Sequence, residues 1–254
     1  MISNLKINNK SFNTNQGNNP AHPAGKKRTD ISLPIPELRN TIFKEDCMQG
    51  LKRLPDRSVT MVLTDIPYGE CHGFQPGMRE LNKGAADAVT FSVEPFIREI
   101  DRVVTGSVYV FCGFEQISEI RGMLKKLGYA TRLGIWKKTN PSPMHGKVVW
   151  LSSVEACVYG KKPGGTFNQY CKGAVWEFPS GRSKRHPTEK PLKLMQHLIE
   201  SSSRPGDVIL DPCMGSGTTA VAARNLGRDY VGFEINEEYF NVSIQRLVET
   251  QEGK

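Results

Sequence analysis

No two of the six cysteines in this 254-residue chain form a Cys-x-x-Cys pair, and the five histidines do not cluster with them. A zinc site or a disulfide framework is therefore not expected, and reduced thiols in a cytoplasmic protein are the simplest account. No run of about 18 apolar residues occurs, which argues against a membrane span. The first residues also lack the apolar stretch of a signal peptide. Two nucleotide signatures are missing as well. The glycine spacing is not Gly-x-Gly-x-x-Gly, which weakens a nicotinamide reading, and no Gly-Lys-Ser/Thr points to ATP hydrolysis. Acidic residues are outnumbered, 26 against 34 basic ones, leaving a formal charge of +8. That balance favours an anionic partner, most simply nucleic acid.

What remains is enough for one α/β domain: 38% of the residues are hydrophobic. Residues 1–30 are rich in Asn, Lys, Gly and Ser without apolar periodicity and read as a disordered tail, leaving a single domain over 31–254. Strand and helix signals alternate from about residue 41. Val59–Leu63 is a β-branched apolar run suited to a buried parallel strand. Residues 69–90 are polar and glycine-rich, long for a loop, and so read as functional or mobile. Helix signals follow at 94–103 and 115–127, the latter ended by Gly128, with strands at 107–112, 130–136 and 154–159. Residues 160–187 are again glycine-rich and basic. Pro191 opens a helix with Leu192, Met195, Leu198 and Ile199 on one face. A strand at 208–210, a helix at 218–226, a strand at 230–233 and a helix at 237–250 complete the chain. The pattern predicts a doubly wound, mostly parallel, Rossmann-like sheet.

Two segments at strand ends carry chemistry. Leu210-Asp211-Pro212-Cys213-Met214-Gly215-Ser216-Gly217-Thr218-Thr219 reads as strand, glycine turn and helix start. Glycines allow positive φ and close approach of a ligand, and a helix N-terminus favours a carboxylate or phosphate. Asp211 suits a cationic amino group. Glu234 closes the next strand about 20 residues on, where an acidic group accepts from ribose hydroxyls in dinucleotide folds. A ligand with amino, carboxylate and ribose parts fits S-adenosyl-L-methionine. A glycine turn serving helix packing alone is the competing explanation.

The other segment is Asp65-Ile66-Pro67-Tyr68. Asp65 and the Ile66 carbonyl can accept hydrogen bonds from an exocyclic amino group, Pro67 fixes the backbone, and Tyr68 offers a face for stacking on a base drawn out of a duplex. Such bonds favour an amino nitrogen with a localised lone pair. Alone, this would be an ordinary turn after a strand. The glycine segment downstream reverses that judgement.

Together the segments resemble the amino-group DNA methyltransferases, with their Asp/Asn/Ser-Pro-Pro-Tyr base motif and Asp-Pro-Phe-x-Gly-Ser-Gly-Thr-Thr cofactor motif. Here Ile66 and Cys213 are the departures. His186-Pro187-Thr188-Glu189-Lys190-Pro191 is similar to the family's His-Pro-Thr-Gln-Lys-Pro, and Asp46-Cys47 to the segment beside the cofactor adenine. The resemblance covers residues 41–247. It implies cofactor contacts from Asp46, Cys47, Thr188 and Lys190 besides Asp211, Pro212, Cys213, Gly215, Ser216, Gly217, Thr218 and Glu234. His186 is given a positioning role. The base motif precedes the cofactor motif, as in the circularly permuted β class, and an aspartate at its head implies adenine N6 as the target.

By the same resemblance a target-recognition segment lies within 137–185, where Lys137, Lys138, Arg182, Lys184 and Arg185 are candidates for contact with double-stranded DNA. The segment is short, which fits a short recognition sequence or reliance on a second subunit in a homodimer. A cognate restriction endonuclease is a further partner the resemblance leaves open. Cytosine-N4 transfer, an RNA amino-methyltransferase and a catalytically inactive DNA-binding relative remain as competing readings.

Overall fold

β-Branched and aromatic runs of this chain assemble into one eight-stranded sheet with helices on both faces. The structure, a computed structural model, describes residues 35–68, 91–143, 146–181 and 189–252. The expected tail at 1–30 and the glycine-rich stretch 69–90 lie outside the described residues. In chain order the strands are β1 (Thr41–Lys44), β2 (Val59–Asp65), β3 (Val104–Cys112), β4 (Ala130–Lys138), β5 (Val154–Lys161), β6 (Val175–Phe178), β7 (Val208–Asp211) and β8 (Asp229–Glu234). Their order across the sheet is β1-β8-β7-β2-β3-β5-β4-β6. Only β5, against β3 and β4, runs antiparallel.

The helices are α1 (Ile35–Leu38), α2 (Cys47–Arg53), α3 (Val93–Val103), α4 (Ile117–Lys126), α5 (Leu192–Ser202), α6 (Thr218–Asn225) and α7 (Glu237–Glu252). Helices α2, α3 and α4 bury their apolar stripes in one core layer, for example Phe96, Ile97, Ile100 and Val103 of α3. On the opposite face α5, α6 and α7 pack, with Leu194, Met195, Leu198 and Ile199 inward on α5. Leu194 is buried where the sequence pattern had favoured Leu192, which is only partly buried. These spacings are the helical period of a single buried stripe.

Strand β6 falls within residues 160–187, for which the sequence offers only a glycine-rich, basic composition and no strand signal. Its four residues alternate exposed and half-buried, and it lies at the sheet edge against β4. Trp176 provides its hold: a Cβ on Gly134 of β4 would meet the Trp176 ring at 2.2 Å, so only glycine leaves that ring its place. The Trp136 indole donates to the Phe178 carbonyl at 2.9 Å and fixes the other end.

From β2 the chain crosses by α3 to β3, whereas from β7 it crosses by α6 to β8 in the opposite direction. Strands β2 and β7 are hydrogen-bonded neighbours, Met61 opposite Ile209 and Val62 opposite Leu210. Their C-terminal ends therefore flank the point where the winding reverses, the usual crevice for ligands in such sheets.

Candidate active site

Four adjacent parallel strands, β1, β8, β7 and β2, finish at or beside an acidic residue: Asp46, Glu234, Asp211 and Asp65. The sequence pairing of a base segment with a glycine segment thus becomes a spatial row along one sheet edge.

Asp65 ends β2 and is half-buried. Ile66 extends the ladder, its amide donating to Phe111 O at 3.1 Å, and its side chain is buried, which explains an apolar residue there. The Pro67 carbonyl accepts from Gln116 Nε2 at 3.1 Å, while Gln116 Oε1 takes the Gly113 amide at 2.8 Å. Gln116, at the entry to α4, thereby fixes the turn that presents Tyr68. The Tyr68 hydroxyl lies 3.0 Å from Asp65 Oδ1 and 3.2 Å from Glu155 Oε2, so one phenolic proton serves two carboxylates.

Lys190 joins this group. Its ammonium pairs with Asp65 Oδ2 and with Glu155 Oε2 at 3.0 Å, and lies 3.3 Å from the Tyr68 hydroxyl. It also sits over the Phe111 ring, 5.2 Å from the centroid. Its side chain is only 5% exposed. The sequence had grouped Lys190 with the cofactor residues; the structure puts its charge on the base motif instead. Glu155, in the middle of this cluster, went unnoticed in the sequence because one acidic residue within an apolar strand carries no motif. Its Oε1 meets Lys138 at 2.8 Å.

Electrostatics follow from burial and pairing. Burial raises Asp65 above the usual carboxylate range, with Lys190 opposing and Glu155 adding to the rise. Burial would raise Glu155 too, but Lys190 and Lys138 outweigh it and bring the group down to about 2. Lys190 is held protonated: burial works against its charge, and the two carboxylates overcome that. The Tyr68 phenol is pushed up by burial and by both carboxylates, and stays protonated.

Lys137 and Lys138 separate as neighbours on a strand must. Lys137 stays at the surface, 3.0 Å from Glu177 on β6, and Lys138 turns inward to Glu155. Lys138, expected as a DNA contact, places its ammonium on a largely buried carboxylate. Arg182, Lys184, Arg185, His186 and Thr188 lie outside the described residues.

On the cofactor side, Asp211 is buried. Its Oδ2 accepts from the Thr219 hydroxyl at 2.6 Å and its Oδ1 from the Cys213 amide at 3.1 Å. Burial pushes it up to about 7, with the Thr219 hydrogen bond opposing. Asp211 therefore shapes the turn, and with one hydrogen bond on each oxygen it keeps acceptor capacity for the cationic amino group expected there. Pro212 follows it into that turn. Gly215 and Gly217 have φ of 54° and 81°. At Gly217 the demand for glycine also comes from packing, since a Cβ would come within 2.8 Å of Ser243 Cβ on α7.

Arg246 of α7, also unforeseen, clamps this turn. Its Nη1 donates to Ser216 O at 2.9 Å, Ser216 Oγ at 2.8 Å and Thr218 Oγ1 at 3.0 Å, and its Nη2 meets Glu189 Oε1 at 3.1 Å. Ser216 and Thr218, expected at the cofactor, therefore serve the turn as well. Glu234 accepts the Gly215 amide at 2.7 Å and the Asn236 amide at 2.8 Å. Burial raises its pKa against those bonds. Asp46 caps α2 by accepting from the amides of Met48 and Gln49 at 3.0 and 3.1 Å. Cys47 is buried, and Cys213 packs against the same apolar layer. The Cys47 thiol and burial together push the Cys213 thiol up, away from the thiolate form. Among the described residues no His, Cys, Asp and Glu cluster could hold a metal ion.

Known proteins resemble this chain over most of its length. The family model for N6/N4 DNA methylases matches residues 59–245. The type II methyltransferase M.HinfI of Haemophilus influenzae is 31% identical over 85% of this chain and 70% of its own length. The DNA adenine methyltransferase YhdJ of Escherichia coli K12 is 30% identical over 82% of each chain. Among solved structures, the M1.HpyAVI–SAM complex superposes with a TM-score of 0.63 at 27% identity, covering 81% of this chain and 98% of that one.

Proposed function

The chain belongs to the N6/N4 DNA methylase family, and from that premise we propose that it methylates the exocyclic N6 of adenine in DNA, acting on a base turned out of the duplex. S-adenosyl-L-methionine, when bound, supplies a sulfonium-borne methyl group whose bonding electrons remain on sulfur. The residues present fit that donor. Glu234 stands at the end of β8, Asp46 and Cys47 stand just past β1 beside it, and Gly215 and Gly217 bring backbone close to the crevice. Glu234 uses one hydrogen bond on each oxygen, which leaves acceptor capacity for ribose hydroxyls.

The observation that carries the reading is the placement of Asp65 directly across the switch point from the cofactor turn. An aspartate there accepts hydrogen from the target amino group and holds its nitrogen lone pair out of conjugation with the ring. Once that nitrogen carries the methyl group it must shed a proton, and Asp65, raised by its burial, is the base within reach. Similarity to the DNA adenine methyltransferase YhdJ, at 30% identity, supports N6 over N4.

DNA meets the site from the loop between β4 and β5. That loop leaves the sheet after Lys138 and returns just before Glu155, closed by the Lys138 amide on Ser153 O at 2.8 Å. Lys147, Val148, Val149 and Trp150 are all exposed on it, Trp150 by 98%. Lys137 at its root adds surface charge beside this apolar group.

Incubation with methyl-labelled S-adenosyl-L-methionine and unmethylated genomic DNA, followed by digestion to nucleosides, tests the assignment. N6-methyldeoxyadenosine is expected from the wild type and none from Asp65→Ala, with cofactor binding retained in the variant. N4-methyldeoxycytidine as the product would overturn the adenine assignment, and label in RNA alone would overturn the DNA one.

A further inference from the structure

We propose that Glu155 is a positioning residue for methyl transfer, holding the Lys190 ammonium so that Asp65 can turn from the lysine to the target amino group. The inference rests on the reading above, in which Asp65 receives that amino group. In the structure both Asp65 oxygens already have partners, Tyr68 on Oδ1 and Lys190 on Oδ2. An arriving amino group competes with the lysine for Oδ2. The nitrogen also becomes cationic on methylation, and an ammonium fixed to the same carboxylate would oppose it.

Lys190 cannot simply withdraw into water. Its side chain is 5% exposed, wedged between Asp65, Glu155 and the Phe111 and Tyr68 rings. A buried ammonium without a carboxylate is strongly unfavourable. Glu155 removes that obstacle: its Oε2 already accepts from Lys190 at 3.0 Å, so the lysine keeps a charged partner when Asp65 is given over. Lys138 on Oε1 at 2.8 Å holds Glu155 itself in place. The two carboxylates and two ammoniums balance before the base arrives, and a neutral base leaves them balanced. Antiparallel pairing sets this geometry. Glu155 lies opposite Trp136 on β4, and the next β5 residues pair with β3 up to Cys112 opposite Ala156, which places Glu155 beside the end of β3.

Glu155→Gln retains the shape and removes the charge, leaving Lys190 to lean on Asp65 alone. On unmethylated genomic DNA, kcat/KM for the DNA is expected to fall at least about tenfold, while cofactor Kd stays near wild type. Adding Lys190→Gln removes the competing ammonium and should restore at least about threefold of the loss, an interaction that a purely structural role would not produce. If Glu155→Gln does not fold, Glu155→Asp with and without Lys190→Gln makes the same comparison, since the shorter side chain draws its charge away from Lys190. Activity of the single variant within about twofold of wild type, or a double variant no better than the single, would overturn the inference and leave the assignment of Asp65 standing. A wild-type protein that methylates no DNA would overturn the parent reading, and this inference with it.

Discussion

The Gly215 amide donates to Glu234 Oε2 at 2.7 Å, tying the glycine turn after β7 to the end of β8. One carboxylate thus serves the turn and faces the crevice. Its second oxygen takes the Asn236 amide, so the side chain has little rotational freedom. Glu234→Ala is expected to weaken cofactor affinity by roughly 1–3 kcal/mol, the worth of a hydrogen bond to a charged group with its stranded partner. Because the Gly215 amide loses its acceptor, Tm should fall as well. Calorimetric titration and thermal denaturation read the two effects separately. An unchanged cofactor Kd beside a lowered Tm would confine Glu234 to the turn.

Tyr68 has two functions that substitution can separate. Its hydroxyl bridges Asp65 and Glu155, and its ring faces the site. Tyr68→Phe removes the shared proton, at a cost of about 1 kcal/mol, and keeps the π-face. Tyr68→Ala removes both, and stacking on a displaced base is worth roughly 1–3 kcal/mol more. Methyl transfer should therefore fall modestly in the first variant and severely in the second. A 2-aminopurine at the target position should brighten on binding to the wild type. Equal losses in the two variants would show that the ring does not stack.

The parts of this molecule legible in the sequence are those with local signatures. Val59–Leu63 had the composition of a buried strand, and Gly128, with φ of 87°, stops the chain after α4 where it was expected to. Asp65, Asp211 and Glu234 fall at strand ends because their motifs are themselves strand-end turns. Glu155, Lys190 and Arg246 needed the third dimension. Lys190 meets Asp65 across 125 residues of chain, and no periodicity encodes such a contact. Arg246 reads as one more polar position of an amphipathic helix until α7 is packed on the glycine turn. Strand β6 was missed for a different reason: four residues with an edge position and no apolar run leave no pattern to find.

Asp211 makes stability depend on pH in a defined direction. Burial raises its folded pKa from the ordinary 3.8 to about 7. The folded state therefore binds a proton more tightly than the unfolded one. Its contribution is complete below about pH 4 and is lost as pH rises through about 7. Urea denaturation of wild type and Asp211→Asn, compared between pH 5 and 8, isolates this term from other titrating groups. The difference in unfolding free energy between the two proteins should shift in favour of the variant as pH rises. Parallel curves across that range would mean that Asp211 stays ionised throughout.

Trp150 offers the test of where DNA lies. An indole exposed by 98%, preceded by exposed Val148 and Val149, has no packing role among the described residues. Exposed apolar groups of this size mark contact surfaces. The loop carrying them is closed by the Lys138 amide on Ser153 O, so it springs from the residues that hold Glu155. On the proposed reading a duplex whose base reaches Asp65 passes this loop, and a flat apolar ring there can fill stacking surface exposed when the base leaves. Trp150→Ala is accordingly expected to raise the Kd for duplex DNA by roughly 1–3 kcal/mol. Cofactor affinity and Tm should not change, because the ring touches neither the glycine turn nor the core. Replacing the target base with an abasic site removes the cost of unstacking, and the deficit of the variant should shrink on that substrate. Equal DNA affinity for variant and wild type would place the duplex elsewhere on the sheet edge.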